Sequence, residues 1–178
     1  TICDICVVVN NADFEDDTVT SNREILRPNA WVTTGNVSVQ KQGTHDGAES
    51  GDGLYFAVIH GGRSSSIRQE VYHLQAGEVY TLAFFASITT GAVIHVEVDD
   101  THIQTVPTSP ASTSSFQRYE INFTSGASTA VVVIANSASS AANFLYVDSV
   151  SVCPHAPVIV PSSNVPSQNH INCNGVPE

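Results

Sequence analysis

The sequence predicts an all-β fold, an antiparallel two-sheet β-sandwich, and three observations carry that expectation. Nearly every apolar stretch is short, rich in β-branched and aromatic residues, and bounded by Gly, Pro, Ser, Thr or Asn, which is how strands are punctuated. No segment keeps a 3.6-residue apolar period over three turns, so no long helix is expected. Hairpin turns recur at a spacing that favours antiparallel neighbours over βαβ crossovers.

The candidate strands run, in order, over residues 7–10, 31–33, 37–41, 54–59, 67–74, 79–87, 92–98, 102–106, 116–123, 129–136 and 144–153. The first four are short apolar or β-branched runs, the second of them holding the single tryptophan, Trp31, which is expected in the core. His60-Gly61-Gly62-Arg63 follows the fourth and supplies a glycine able to take positive φ. In Ile67-Arg68-Gln69-Glu70-Val71-Tyr72-His73-Leu74 apolar and polar residues mostly trade places, as on a half-exposed strand. Gln75-Ala76-Gly77-Glu78 turns the chain into Tyr80-Thr81-Leu82-Ala83-Phe84-Phe85-Ala86. That nearly continuous apolar run, and Ala130-Val131-Val132-Val133-Ile134-Ala135 later, read as central strands with both faces covered. Ser125-Gly126-Ala127-Ser128 closes the hairpin before the second of them. Residues 1–153 thus form one sandwich domain. Residues 154–178 hold five of the prolines and one apolar run, Val158-Ile159-Val160, too little to build a core. This extended tail either drapes over the sandwich or pairs with a neighbouring molecule.

At 178 residues the chain has the size of one domain, and folding buries roughly 70% of the surface an unfolded chain exposes. Charged residues make up 13% of it, with 17 acidic against 6 basic and a formal net charge of −11. The only lysine is Lys41. Such a surface repels phosphate backbones and anionic lipid, because both are recognised by clustered Lys and Arg. Nucleic acid and membrane insertion are therefore excluded as partners, the second also because no apolar run approaches the ~20 residues of a spanning helix. There is no methionine, even at position 1, as in a secreted product freed of its signal peptide.

Four cysteines, Cys3, Cys6, Cys153 and Cys173, sit in the terminal segments. An even count outside the apolar core fits two disulfides in an oxidising compartment, with three possible connectivities. Zinc is the competing use, since Cys3-Asp4-Ile5-Cys6 has the spacing of half a structural site, but the other half is missing. Asn36-Val37-Ser38 and Asn122-Phe123-Thr124 are sequons, compatible with N-glycosylation if the source is eukaryotic.

Enzyme templates fail: there is no Gly-x-Ser-x-Gly elbow, no phosphate-cradling Gly-rich loop with a Lys, and no His-Glu-x-x-His. No catalytic residue is assigned. Five pieces in order nevertheless resemble a known group. They are Asn11-Ala12-Asp13-Phe14-Glu15, Trp31, Ser50-Gly51-Asp52-Gly53-Leu54-Tyr55-Phe56-Ala57, the stretch from Ser66-Ile67-Arg68-Gln69-Glu70-Val71 through Gln75-Ala76-Gly77-Glu78 to Phe84-Phe85-Ala86, and Tyr146-Val147-Asp148-Ser149-Val150. Together, over about residues 7–153, they are similar to carbohydrate-binding module families 4 and 9 and their galactose-binding-like relatives. The resemblance implies a jelly roll in which a structural Ca²⁺ joins the first and last strands. The matching ligand positions are Glu15 and Asp148, helped by the carbonyl of Asp13 and by groups near Asp52; hydrogen bonding of the two carboxylates to backbone is the alternative.

Glycan binding by such a module needs exposed rings flanked by planar polar groups. Tyr72 beside Glu70, and Tyr119 beside Arg118, are the candidates, with Arg68 as a further hydrogen-bond donor. The function expected is a non-catalytic, secreted glycan-binding module at the cell surface or in the matrix, its partner a glycan or cell-wall polysaccharide. The alternative is a structural subunit of an extracellular filament, self-associating by strand addition through Val158-Ile159-Val160 and by bridges from Cys3 or Cys6 to Cys173 of a neighbour. Cys153 is expected to pair with Cys3 or Cys6 of its own chain.

Overall fold

A computed structural model describes residues 6–17, 27–41, 53–62, 64–107 and 115–155. Its strands are β1 (Val32–Thr34), β2 (Val37–Lys41), β3 (Tyr55–His60), β4 (Ser65–Tyr72), β5 (Val79–Ile88), β6 (Val93–Val98), β7 (Thr101–Pro107), β8 (Gln117–Thr124), β9 (Thr129–Asn136) and β10 (Phe144–Pro154). They form two five-stranded sheets: sheet I in the order β1-β4-β9-β6-β7, sheet II in the order β2-β3-β10-β5-β8. Every pairing between strands is antiparallel. Among the described residues there is no helix, and the two-sheet jelly roll is the fold expected.

Period-two alternation builds the core. From β9 the side chains of Ala130, Val132 and Ile134 enter it, from β5 Leu82, Phe84, Ala86 and Ile88, from β10 Leu145 and Val147. Trp31 is buried there, stacked on Phe14 with ring centroids 5.7 Å apart. Its indole N–H donates to the Asn11 carbonyl at 3.0 Å, which satisfies the one polar group of a buried indole. β5 and β9 are interior strands of their sheets, as their apolar runs require. Sheet II also carries a second cluster on its far face, where Phe56, Val58 and Tyr146 are fully buried and Phe116 and Phe144 pack beside them.

Residues 7–10 do not form a strand. Only Val7 pairs, bridging Val152, and the chain then turns. The cause is local: Asn11 takes φ 47°, its Nδ2 donates to Asp17 Oδ2 at 2.7 Å, and its Oδ1 accepts from the Asp16 amide at 3.1 Å. An Asn side chain that closes its own turn outcompetes a ladder three valines could have joined. At the other end of the chain β10 carries a bulge between Asp148 and Ser151, with Ser149 at φ 52°.

A disulfide between Cys6 and Cys153 closes the ends of the sandwich, with Cα atoms 4.0 Å apart. Cys6 is thus the N-terminal partner of Cys153, and zinc has no claim on either thiol. Cys3, Cys173 and Val158-Ile159-Val160 lie outside the described residues, and so does nearly all of the 154–178 segment.

Candidate functional site

The residues singled out for glycan contact do not form one site. Arg68, Glu70 and Tyr72 do share a face: all three are exposed on β4, projecting from sheet I away from the core. Tyr72 is 49% exposed, and its hydroxyl donates to Glu70 Oε2 at 2.8 Å. That bond, with the carboxylate's charge, raises the phenol above its ordinary pKa. Arg118 stands on the other sheet, on β8, paired with Glu120. Tyr119 departs from the expectation outright. Neighbours in a strand point to opposite faces, so Tyr119 turns toward the core, stacked on Phe84 at 5.7 Å, and burial raises its pKa. Tyr119 and Arg118 cannot grip one ligand.

Beside the β4 group lies a groove of about 370 Å³ lined by Ser64, Ser66, His95, Glu97, Val133, Ala135 and Ser137. It follows from the register of three strands. Ser66 and Arg68 on β4 pair with Ala135 and Val133 on β9. These in turn pair with His95 and Glu97 on β6. The outward residues of β9 are aliphatic and short, with Arg68 beside them on β4 and His95 and Glu97 on β6, so the middle strand becomes the floor of a trough. Its floor is aliphatic, with Val133 and Ala135 no more than 9% exposed. Its walls are polar: hydroxyls of Ser64, Ser66 and Ser137, the imidazole of His95, and the carboxylate of Glu97.

The wall charges are largely spoken for. Glu97 Oε1 lies 2.8 Å from His95 Nε2. Glu70 holds the Tyr72 hydroxyl, as above. On the far side of β6, His102 stacks on His95, ring centroids 4.4 Å apart and planes within 8°. The groove therefore presents an apolar strip between rows of oriented donors and acceptors, suited to a ligand with apolar faces and many hydroxyls.

Three of the residues expected to hold Ca²⁺, Asp13, Glu15 and Asp148, stand in two segments joined at the corner where the chain enters and leaves the sandwich, where Val150 N donates to the Ala12 carbonyl at 2.9 Å. Glu15 Oε1 accepts from the amides of Leu54 and Tyr55 at 2.5 and 2.7 Å. Asp148 is fully buried and accepts from the Ser149 amide at 2.7 Å. Ser149 Oγ is buried without a partner. An oxygen-only donor set of carboxylates, carbonyls and an orphaned hydroxyl fits a hard cation. Among the described residues no three His, Cys, Asp or Glu side chains group around one point, and Asp52 lies outside them.

The asparagines of both sequons are exposed. Asn36 sits in the β1–β2 turn. Asn122 lies on β8, where its Oδ1 accepts from the Thr81 hydroxyl at 2.8 Å.

The family described as Protein of unknown function (DUF642) matches residues 7–152. No curated protein matches the chain. Among solved structures it is similar to the Stig cyclase Fisc from Fischerella sp. TAU, with a TM-score of 0.67 and 15% identity over 86% of this chain and 100% of that one. It is similar to TmCBM61 in complex with β-1,4-galactotriose, with a TM-score of 0.60 and 19% identity over 84% of this chain and 99% of that one. The CBM22-1 xylan-binding domain from Paenibacillus barcinonensis Xyn10C gives 0.51 and 12%, over 82% and 93%. At these identities the likeness establishes the fold alone, the jelly roll that these solved structures share.

Proposed function

The chain belongs to the family described as Protein of unknown function (DUF642), and from the groove on sheet I we propose that it is a non-catalytic, secreted module that binds a polysaccharide along β9. The observation that carries this reading is the groove itself, an aliphatic floor of Val133 and Ala135 between polar walls from β4 and β6. A pyranose chain offers the complement: apolar ring faces for the floor and hydroxyls for the walls. Structural neighbours described with galactotriose and xylan support the choice of ligand class. The Cys6–Cys153 disulfide supports an oxidising compartment, and the exposed Asn36 and Asn122 suit N-glycans. A Ca²⁺ held by Asp13, Glu15 and Asp148 would serve as a structural clamp on the corner where the chain enters and leaves the sandwich.

Affinity electrophoresis through gels containing xylan or β-1,4-galactan tests the groove. The wild type is expected to be retarded by at least one of them. Val133→Lys, which raises a charged side chain from the floor, should abolish the retardation. Arg118→Ala, on the opposite sheet, should leave it unchanged. Equal retardation of wild type and Val133→Lys would remove the groove as the binding site.

A further inference from the structure

We propose that the groove on sheet I selects uncharged polysaccharide and rejects chains dense in carboxylates, with Glu70 and Asp99 as the residues that discriminate; the inference rests on the groove being the glycan site. Alternation along β9 carries the outward strip from Ala135 through Val133 to Val131, which is half-buried. A polysaccharide lying lengthwise over β9 passes over all three. What flanks the strip changes along its length. At Val133 the neighbours are Arg68 on β4 and Glu97 on β6, one charge of each sign. At Val131 both neighbours are acidic. Glu70 pairs with Val131 from β4. On the other side stands Asp99, just past β6, which donates its amide to the Val131 carbonyl at 2.9 Å and accepts from the Val131 amide on Oδ1 at 2.8 Å.

Hydrogen bonds hold both carboxylates in place. That of Asp99 is bonded to the floor strand itself, and Glu70 Oε2 accepts from the Tyr72 hydroxyl at 2.8 Å. Strands lie about 4.8 Å apart, so a group over Val131 is displaced sideways from each flanking strand by no more than that. The Debye length at physiological salt is about 8 Å, and a carboxylate over Val131 therefore meets two like charges at once. Arg68 is the only Arg or Lys on β4, β6 and β9. Along the strip one guanidinium thus stands against Glu70, Glu97 and Asp99. An isolated acidic group can settle beside Arg68, but a polymer with a carboxylate on most of its units has to place one over Val131. An uncharged chain meets no such repulsion, because its hydroxyls donate to both carboxylates. The balance of 17 acidic against 6 basic residues in the whole chain adds repulsion of the same sign at longer range.

The test is titration calorimetry at low ionic strength with two matched pairs: β-1,4-galactan, native and oxidised at C6 to the uronate, and xylan carrying hydroxyethyl or carboxymethyl groups. The wild type should bind the neutral member of a pair about tenfold more tightly than the acidic one. Salt at roughly 1 M, where the Debye length falls to about 3 Å, should remove most of that difference. Glu70→Gln combined with Asp99→Asn removes both charges and keeps an oxygen to accept from Tyr72 and from Val131. That variant should bind neutral chains as the wild type does, and acidic ones nearly as well. The oxidised galactan lacks its C6 hydroxyl in either protein, so recovery in the variant reports charge alone. Glu70→Gln by itself, at an exposed side chain, should recover part of the difference, and it serves if the double variant does not fold. Equal binding of both members of a pair by the wild type overturns the selection and leaves the groove intact. A preference that Glu70→Gln leaves in full also overturns it. Failure of the wild type to bind any neutral chain overturns the groove reading itself, which is a separate outcome.

Discussion

Glu15 and Gly53 fit one another so closely that each fixes the other's identity. A Cβ at Gly53 would run into the Glu15 carboxylate, and the glycine's φ of +72° is one that side chains rarely adopt. Gly53→Ala should therefore destabilise the domain by about 1 kcal/mol or more, read from urea midpoints at constant slope. Glu15→Ala strands two amides and should lose about 1–3 kcal/mol. If Ca²⁺ shares this corner, chelation lowers the melting temperature of the wild type and leaves that of Glu15→Ala unmoved; a wild-type curve indifferent to chelator leaves Glu15 as a hydrogen-bond anchor alone. Tyr72 allows a cleaner titration. Its pKa is raised by the bond to Glu70 and by the carboxylate's charge, so the folded state favours the protonated phenol. That preference is present below pH 10, the ordinary tyrosine value, and disappears as pH rises through the higher folded one. Glu70→Gln should move the Tyr72 step downward in an NMR titration, with the other tyrosines unmoved. At this scale the sequence announces residue types but not their direction. Tyr119 and Arg118 are adjacent in the chain, and adjacency within a strand is what separates them in space.

Among the elements, β9 does the most to organise the molecule. Asn136 at its end is fully buried. It donates from Nδ2 to the carbonyls of Ile59 and Asn143, each at 3.0 Å. It accepts on Oδ1 from the amides of Val93 and Ala138. One side chain thus ties β9 to β3 across the sandwich, to the first residue of β6, and to the loop before β10. Asn136→Asp is nearly isosteric but would set a second oxygen against the two carbonyls. It should cost on the order of 3 kcal/mol or more, measured by chemical unfolding; a loss below about 0.5 kcal/mol would show that the carbonyls can rotate to water. The strands themselves were legible in advance: residues 37–41 and 129–136 coincide with β2 and β9, and most others differ by a residue or two at their ends. The groove was not. Its floor hides inside a run apolar on both faces, and its walls belong to β4 and β6, distant in sequence and joined only through register. His95 and Glu97 carry no local signal beyond alternation. The one usable clue was that the outward set of β9, Val131, Val133 and Ala135, is small.

At the scale of the whole molecule, the order of weak motifs settled the jelly roll before any coordinate, because each piece falls where a two-sheet sandwich needs a strand or a corner. The disulfide partner of Cys153 stayed open between Cys3 and Cys6, since the two stand only three residues apart in the sequence. The observed bridge spans 147 residues, and in the chain-entropy account a loop of that length stabilises the fold by about 5 kcal/mol. Guanidinium unfolding with and without reductant should show a shift of that order, and Cys6→Ser should match the reduced protein; coincident midpoints would mean that the reduced ends remain held by Val7 and the corner. The same bridge has a mechanical consequence. Val7 and Val152 pair immediately inside it, so almost the entire sandwich lies within the loop it closes. A pull entering before Cys6 and leaving after Cys153 passes from sulfur to sulfur and loads, of the sheets, only the Cys153–Pro154 end of β10, paired with Thr81 and Tyr80. If the groove holds a polysaccharide, as proposed, the strands that line it lie outside that line of force.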